Sequence, residues 1–428
     1  MSESHNMFAL LKSESAINRI IILILLCYPA FLLTVRGSVG VLFFLLLLLS
    51  LVTLYRARKS PRAPHWDKYS IAFALAMSSP VLAIFLSQAY HGEFKAPYYD
   101  WAARFLLAIP IFLALRQTSI RVLSILQYGM PIGALVGLLA LKLHPFDWGG
   151  RYTTSEFFNL IHFSDTALVL GFLSLFSINW KREDSPSILA FKLCGFLAGI
   201  YMSIQSGERG SWVAIPLLLL LWTILNVRER RWLKFGIAAL VVISASWLSY
   251  LLIDVVHTRI GYIFSDIDGY AHGNKDTSVG VRIQLYLAAL HLFIEHPFFG
   301  VGPGGFAQAI PDLVSSGKLT YFGGVLGKAE IHNEILAKCA ETGLFGLLSI
   351  LSVYLVPAAI LWRSLNNPIA QKMIAGMMGL GLITGFFVFG LTVEIFDLKM
   401  TAAFYALTLA VIVATATNCS SHETLIDT

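Results

Sequence analysis

"VLFFLLLLLSLVTLY", residues 41–55, runs for fifteen positions without a charge and is apolar on every face of a helix. A surface helix of a soluble domain confines its apolar residues to one stripe, whereas a bilayer-spanning helix needs about 20 largely apolar residues in a row. "IAALVVISASWLSYLLI", residues 237–253, has the same character. Outward from these two stretches the rest of the chain agrees. Of its 428 residues 57% are hydrophobic and 13% are charged, with a mean hydropathy of +0.72. Soluble domains carry about 25% charged residues. The composition therefore specifies an all-α polytopic integral membrane protein.

Hydropathy places twelve spans, at 17–35, 39–54, 71–90, 101–115, 122–141, 166–178, 188–203, 212–227, 232–252, 344–361, 373–391 and 400–416. The chain divides accordingly into transmembrane helices over 1–252, a long connection over 253–343, and three further helices with a short tail over 344–428. Lys and Arg crowd the short connections on one side, as at Arg56, Arg58, Arg116, Arg121, Lys181, Arg228 and Arg363. The positive-inside rule puts that side, with both termini, in the cytoplasm and the 253–343 segment outside it. The formal charge of +6 then reads as topology and requires no nucleic-acid partner. Within the long segment, "VGVRIQLYLAALHLFIEH" (279–296) has the pattern of an amphipathic helix lying along the membrane surface. The first span shows no small-residue cleavage site and is expected to be retained. Cys27, Cys194, Cys339 and Cys419 are scattered, without the CxxC spacing of a zinc site or a disulfide framework.

Several polar residues stand where a membrane protein has no structural need of them. "SIQSGERGSWVAIP" (203–216) holds Arg209 in a tight turn between two spans on the outer side. A guanidinium there presents a planar fork suited to phosphate oxygens; the alternative is that it pairs with Glu208 or caps a helix. "TSVGVRIQLY" (277–286) puts Ser278 and Arg282 one helical turn apart on one face, if the helix begins that early. "HPFFGVGPGGF" (296–306) matches G-x-G-x-x-G but lacks the preceding strand of a dinucleotide site, so it reads as a turn. "FSDIDGY" (264–270) contains a D-x-D triplet, which a surface loop accommodates without a metal. "IHNEILAKCAETGLFG" (331–346) sets His332 beside Asn333, a good N-cap, ahead of a one-sided apolar stripe and Gly343, a suitable helix end. Structure asks for Asn333 and Gly343. An imidazole with a pKa near 6.5 at that position suits a general base or a hydrogen-bond donor.

The His332-Asn333 pair, nine residues, and Gly343-x-x-Gly346 resemble the signature of O-antigen ligases of the WaaL type, within the O-antigen ligase/polymerase superfamily. Arg209 after a span, Ser278 to Arg282 opening the long-segment helix, and the glycine turn before His332 follow in the same order. The resemblance implies a GT-C-like glycosyltransferase of the bacterial inner membrane with its site facing the periplasm. It would transfer a glycan from undecaprenyl diphosphate to a sugar hydroxyl of lipid A–core, without metal or nucleotide cofactor and with inversion. His332, Arg209 and Arg282 match the essential His and arginines of that family. His332 would act on the acceptor hydroxyl and the two arginines would hold the diphosphate. Asn333, Ser278, Arg151 and Asp397 are further substrate-binding candidates, Arg104 and Glu394 weaker ones. Partners are the lipid-linked O-antigen, the lipid A–core acceptor and membrane lipids. The alternatives are a polysaccharide polymerase or a protein O-oligosaccharyltransferase of the same superfamily. A solute transporter is the alternative from another class; against it, no internal repeat and no mid-span charge cluster is visible.

Overall fold

The computed structural model describes residues 14–58, 66–179, 184–226 and 247–418, with 236, 240 and 244 between them. Long apolar helices dominate. In chain order they are α1 (Ala16–Leu32), α2 (Ser38–Ala57), α3 (Lys68–His91), α4 (Tyr99–Leu115), the short α5 (Ile120–Leu123) and α6 (Leu126–Leu143). A two-residue hairpin, β1 (Phe146–Asp147) against β2 (Tyr152–Thr153), leads to α7 (Leu160–Phe176) and α8 (Pro186–Ser206). Next come the one-turn α9 (Arg209–Trp212) and α10 (Ala214–Asn226). The long segment contributes α11 (Asp254–Ala271), α12 (Ser278–Glu295), α13 (Gly305–Ser315) and α14 (Tyr321–Gly327). The chain returns to the bundle through α15 (Glu334–Ser364), α16 (Ala370–Gly390) and α17 (Lys399–Ala416).

Ten of the described helices are long and apolar enough to cross a membrane, and α1 and α7 are shorter apolar helices. The expected span at 232–252 lies largely outside the described residues. The sixth span begins earlier than hydropathy placed it, because Asn159 caps α7 by accepting from His162 N at 2.9 Å. Hydropathy also discounted the polar residues near its start, His162, Ser164 and Asp165.

α16 and α17 are buried almost throughout and form the centre, so they carry no apolar moment to one side. α2 exposes Val41, Phe44, Leu48 and Leu51 and lies at the rim, where lipid replaces protein as its neighbour. The ends of the bundle are fixed by polar ties. Asp67 caps α3 and receives Arg116 bidentately, at 2.9 and 2.8 Å, just past the end of α4. Twenty-four residues later, at about 1.5 Å per residue, the ring of His91 lies 3.0 Å from Gly300 O at the other end.

α12 meets the length and hydropathy of a span. Its tertiary ties place it differently. Thr277, its N-cap, bonds to Asp266 O, and the loop after it bonds to α15 through Val301 N to Ala340 O (2.9 Å) and Leu344 N to Pro297 O (2.7 Å). Both ends of α12 are held at the His91 end of the bundle, so the helix lies across that end. There Leu285, Ala289, Phe306, Ile310 and Ile331 build a second hydrophobic cluster with Ala337 and Ala340 of α15.

Gly343 ends a helix, as the sequence expectation has it, and a second helix begins directly after it. α15 is thus two helical segments, before and after Gly343, joined at a sharp kink where that residue is non-helical (φ 65°, ψ −146°). A Cβ there would lie 2.4 Å from the Phe298 carbonyl and 2.7 Å from Gly300 N. The kink releases the carbonyls of Ala340 and Glu341, which accept from Val301 and Gly302. The glycines of the 296–306 turn serve this close approach: a Cβ on Gly300 would meet Glu341 C at 2.3 Å.

Candidate active site

His332 stands between Ile331, whose side chain is buried in the second cluster, and Asn333, the N-cap of α15. Its φ of 61° is the only positive value at a non-glycine among the described residues. A left-handed non-glycine backbone costs of order 1 kcal/mol and persists only where its surroundings over-determine it. Those surroundings are visible. Glu394 Oε1 accepts from Ile331 N at 2.7 Å, one residue before the imidazole. Two residues after it, Glu334 Oε2 accepts from Phe396 N at 3.0 Å. Asn333 Oδ1 accepts from Leu336 N at 3.0 Å, while its Nδ2 donates to Leu391 O at 3.3 Å. Lys338 Nζ sits 3.2 Å from Glu334 and 3.9 Å from Glu394, over the face of Trp101. The start of α15 and the 391–398 connection are thus cross-braced on both sides of His332.

Glu330 Oε1 lies 2.6 Å from His332 Nδ1, and both side chains are largely buried. Burial alone would raise the Glu330 pKa, but His332, with His162 behind it, outweighs burial and holds the carboxyl below the ordinary range. For Glu394 burial wins, and its carboxyl is held well above the ordinary range despite Lys338.

α12 connects this corner to the arginines. Tyr286 places its hydroxyl 2.9 Å from His332 O and 3.0 Å from Leu391 O. Arg282 precedes Tyr286 by four residues, on the same face, and Ser278 precedes Arg282 by four more. Ser278 is exposed. The Arg282 guanidinium is half-buried and makes no hydrogen bond or ion pair among the described residues.

At the head of the same helix, Thr277 bonds to Asp266, and the Asp266 carboxylate receives Arg209 Nη2 at 3.2 Å. Arg209 therefore pairs with Asp266 of the D-x-D triplet, not with Glu208. Glu208 is occupied by Arg151, at 2.6 Å. Arg259 completes the group: its Nε donates to Gly207 O at 2.7 Å, and its own carbonyl lies 3.4 Å from Arg209 Nη1. Burial first, then the charges of Arg151 and Arg209, push the Arg259 pKa down against the pull of Glu208.

Asp165, buried on the second turn of α7, is a further part of this corner. Ser211 of α9 donates to it at 2.5 Å, and Glu208, Arg282 and Glu330 all act on it electrostatically. The α9 turn that carries Arg209 is thus anchored on this carboxyl through Ser211, with Arg282 and Glu330 near enough to act on its charge. One further candidate is exposed at the edge of this centre, and another stands away from it. Asp397 is exposed on the 391–398 connection, and Arg104 stacks over Phe44 at 4.8 Å on the rim of the bundle.

Sequence reading missed Arg259, Glu330, Lys338 and Asp165. Glu330 had a usable signal, two residues before the imidazole. So did Asp165, an acid within "LIHFSDTALVL". Arg259 had none, because its role depends on where the α8–α9 turn arrives.

Residues 194–351 match a family model described as O-antigen ligase. An uncharacterized protein of Haemophilus influenzae is 25% identical over 273 residues, 63% of this chain and 67% of that one. An O-antigen ligase of Escherichia coli is 24% identical over 191 residues, 44% of each chain. The teichuronic acid biosynthesis protein TuaE of Bacillus subtilis is 26% identical over 247 residues, 55% of this chain and 46% of that one. The last two matches span less than half of the relative's length. Together with the His332 signature and the many apolar helices, they make this a multi-pass membrane protein similar to the O-antigen ligase/polymerase superfamily.

Proposed function

We propose that the protein is a glycosyltransferase that moves a glycan from undecaprenyl diphosphate to a sugar hydroxyl of lipid A–core at the periplasmic face of the bacterial inner membrane. In this reading both termini are cytoplasmic, and residues 253–343 form a periplasmic subdomain over the site. The observation that carries it is the shared helix α12. One face of that helix presents an unpaired Arg282, and its Tyr286 touches the loop of His332.

Arg282 and Arg209 hold the two phosphates of the donor, and their charge stabilises the diphosphate as it departs from the anomeric carbon. Arg209 exchanges its contact with Asp266 for the ligand. Nε2 of His332 takes the proton of the attacking hydroxyl, and the Glu330 carboxylate, 2.6 Å from Nδ1, stabilises the imidazolium that results. Attack from the face opposite the diphosphate inverts the anomeric centre. No metal is assigned a role, since the arginines supply the positive charge. Asn333 shapes the loop, while Ser278, Arg151 and Asp397 line the approach for sugar hydroxyls or core phosphates.

The test is transfer from undecaprenyl diphosphate-linked O-antigen to purified lipid A–core, in EDTA, by wild type and His332→Ala. Loss of a general base costs about 10²–10⁴-fold in rate. A folded His332→Ala protein that retains full transfer would overturn the assignment. A second reading, a polysaccharide polymerase, draws on the similarity to the teichuronic acid biosynthesis protein. Chain extension with only the lipid-linked donor present would establish it instead.

A further inference from the structure

At the end of the bundle opposite His332, a cavity of about 410 Å³ opens between the start of α1, the end of α2 and the residues that follow α4. Ligand pockets begin at about 300 Å³. Its polar wall includes Ser50, Arg56, Gln117 and Ser119, and Ile21, Leu49 and Leu115 are among its apolar lining. None of these four side chains makes a hydrogen bond or ion pair among the described residues, whereas Ser15, Asn18 and Thr53 on the same lining are hydrogen-bonded within or beside their own helices. Ser50 is only 3% exposed and lines the cavity, and no hydrogen bond from its side chain to the protein is seen among the described residues. Among the described residues no acid lines the cavity, and Arg56 is the one charged residue that does.

A guanidinium, two hydroxyls and an amide lining one cavity offer donors for an oxyanion, and the planar fork of Arg favours phosphate. The apolar lining runs between α1 and α2 toward the hydrocarbon. The outward residues of α2, Leu48, Leu51 and Val52, are exposed up to this level. We propose that the cavity is a phosphate-binding site whose occupant is the headgroup of an anionic phospholipid, its acyl chains lying along α2. This site is independent of the transfer reaction proposed above.

The test places the full chain in nanodiscs of phosphatidylcholine with or without phosphatidylglycerol. It then counts lipids retained after detergent extraction by native mass spectrometry. Wild type is expected to keep one phosphatidylglycerol, and Arg56→Gln and Gln117→Leu to keep it about tenfold more weakly, the scale of one lost charge-assisted contact. Arg58→Gln is the control, because Arg58 stacks over Tyr55 and does not line the cavity. Equal retention by wild type and Arg56→Gln, or equal loss in Arg58→Gln, would overturn the proposal. A thermal shift of the phosphatidylcholine sample on adding inorganic phosphate, with no selective retention of phosphatidylglycerol, would assign the cavity to soluble phosphate and overturn its lipid occupant.

Discussion

His332 combines a left-handed backbone with a carboxylate 2.6 Å from its ring. The partner Glu330 makes a testable link between site and stability. Its folded pKa lies below the unfolded one, so it contributes stability above the ordinary Glu range. That contribution is lost as pH falls through the lowered folded value. Melting curves between about pH 3 and 7 should show wild type losing more stability on acidification than Glu330→Gln; identical slopes would remove the ion pair from the account. Lys338 is the other residue whose partners define it. Replacing it with Met leaves Glu334 and Glu394 buried without their cation, which should cost about 3–5 kcal/mol. Combining it with Glu334→Gln and Glu394→Gln should recover part of that loss in a chemical-denaturation series.

At the scale of elements, the kink in α15 decides how the 297–302 loop reaches the site. Gly343→Ala must fit a Cβ 2.4 Å from the Phe298 carbonyl at a φ of 65°. Over-packing at such a contact costs about 1–3 kcal/mol, and the displaced loop should lower transfer as well. Gly40→Ala is the comparison, since a Cβ there meets nothing within 4 Å and lies inside α2. It should be neutral or stabilising by up to about 1 kcal/mol, as Ala is the better helix former. Thermal melting of the two variants separates the contact from the mere loss of a glycine. Sequence made the His332–Gly346 stretch legible as capped helix and glycine. It could not show that Gly343 serves a loop 43 residues earlier in the chain, at Gly300, because that demand arises only on packing.

On the scale of the whole molecule, the proposed reaction requires the two ends of the bundle to face different compartments. In a cysteine-free background, Glu156→Cys, exposed near the hairpin, should react with a membrane-impermeant maleimide in intact cells. Arg58→Cys, at the opposite end, should react only after the membrane is opened. The reverse pattern would turn the His332 end toward the cytoplasm and remove the periplasmic donor. The crossing of the bundle end by α12 also belongs here. By composition that helix passes for a span, and only its ties to Asp266 at one end and to α15 at the other lay it across.

Composition and hydropathy by themselves determined the class, most of the spans and the end of the bundle at which polar residues gather. These follow from local transfer energy, which each stretch of about 20 residues carries regardless of its neighbours. The candidates His332, Arg209 and Arg282 were also legible, because an ionisable group beside a membrane helix is conspicuous in an apolar chain. Tertiary structure decided which charge meets which: Arg209 with Asp266, Arg151 with Glu208, and Lys338 between two glutamates. Side-chain pairing in a buried corner depends on the arrival of segments dozens of residues apart. The energy of each charge there is set by the neighbours it acquires on folding, which no single stretch of sequence contains.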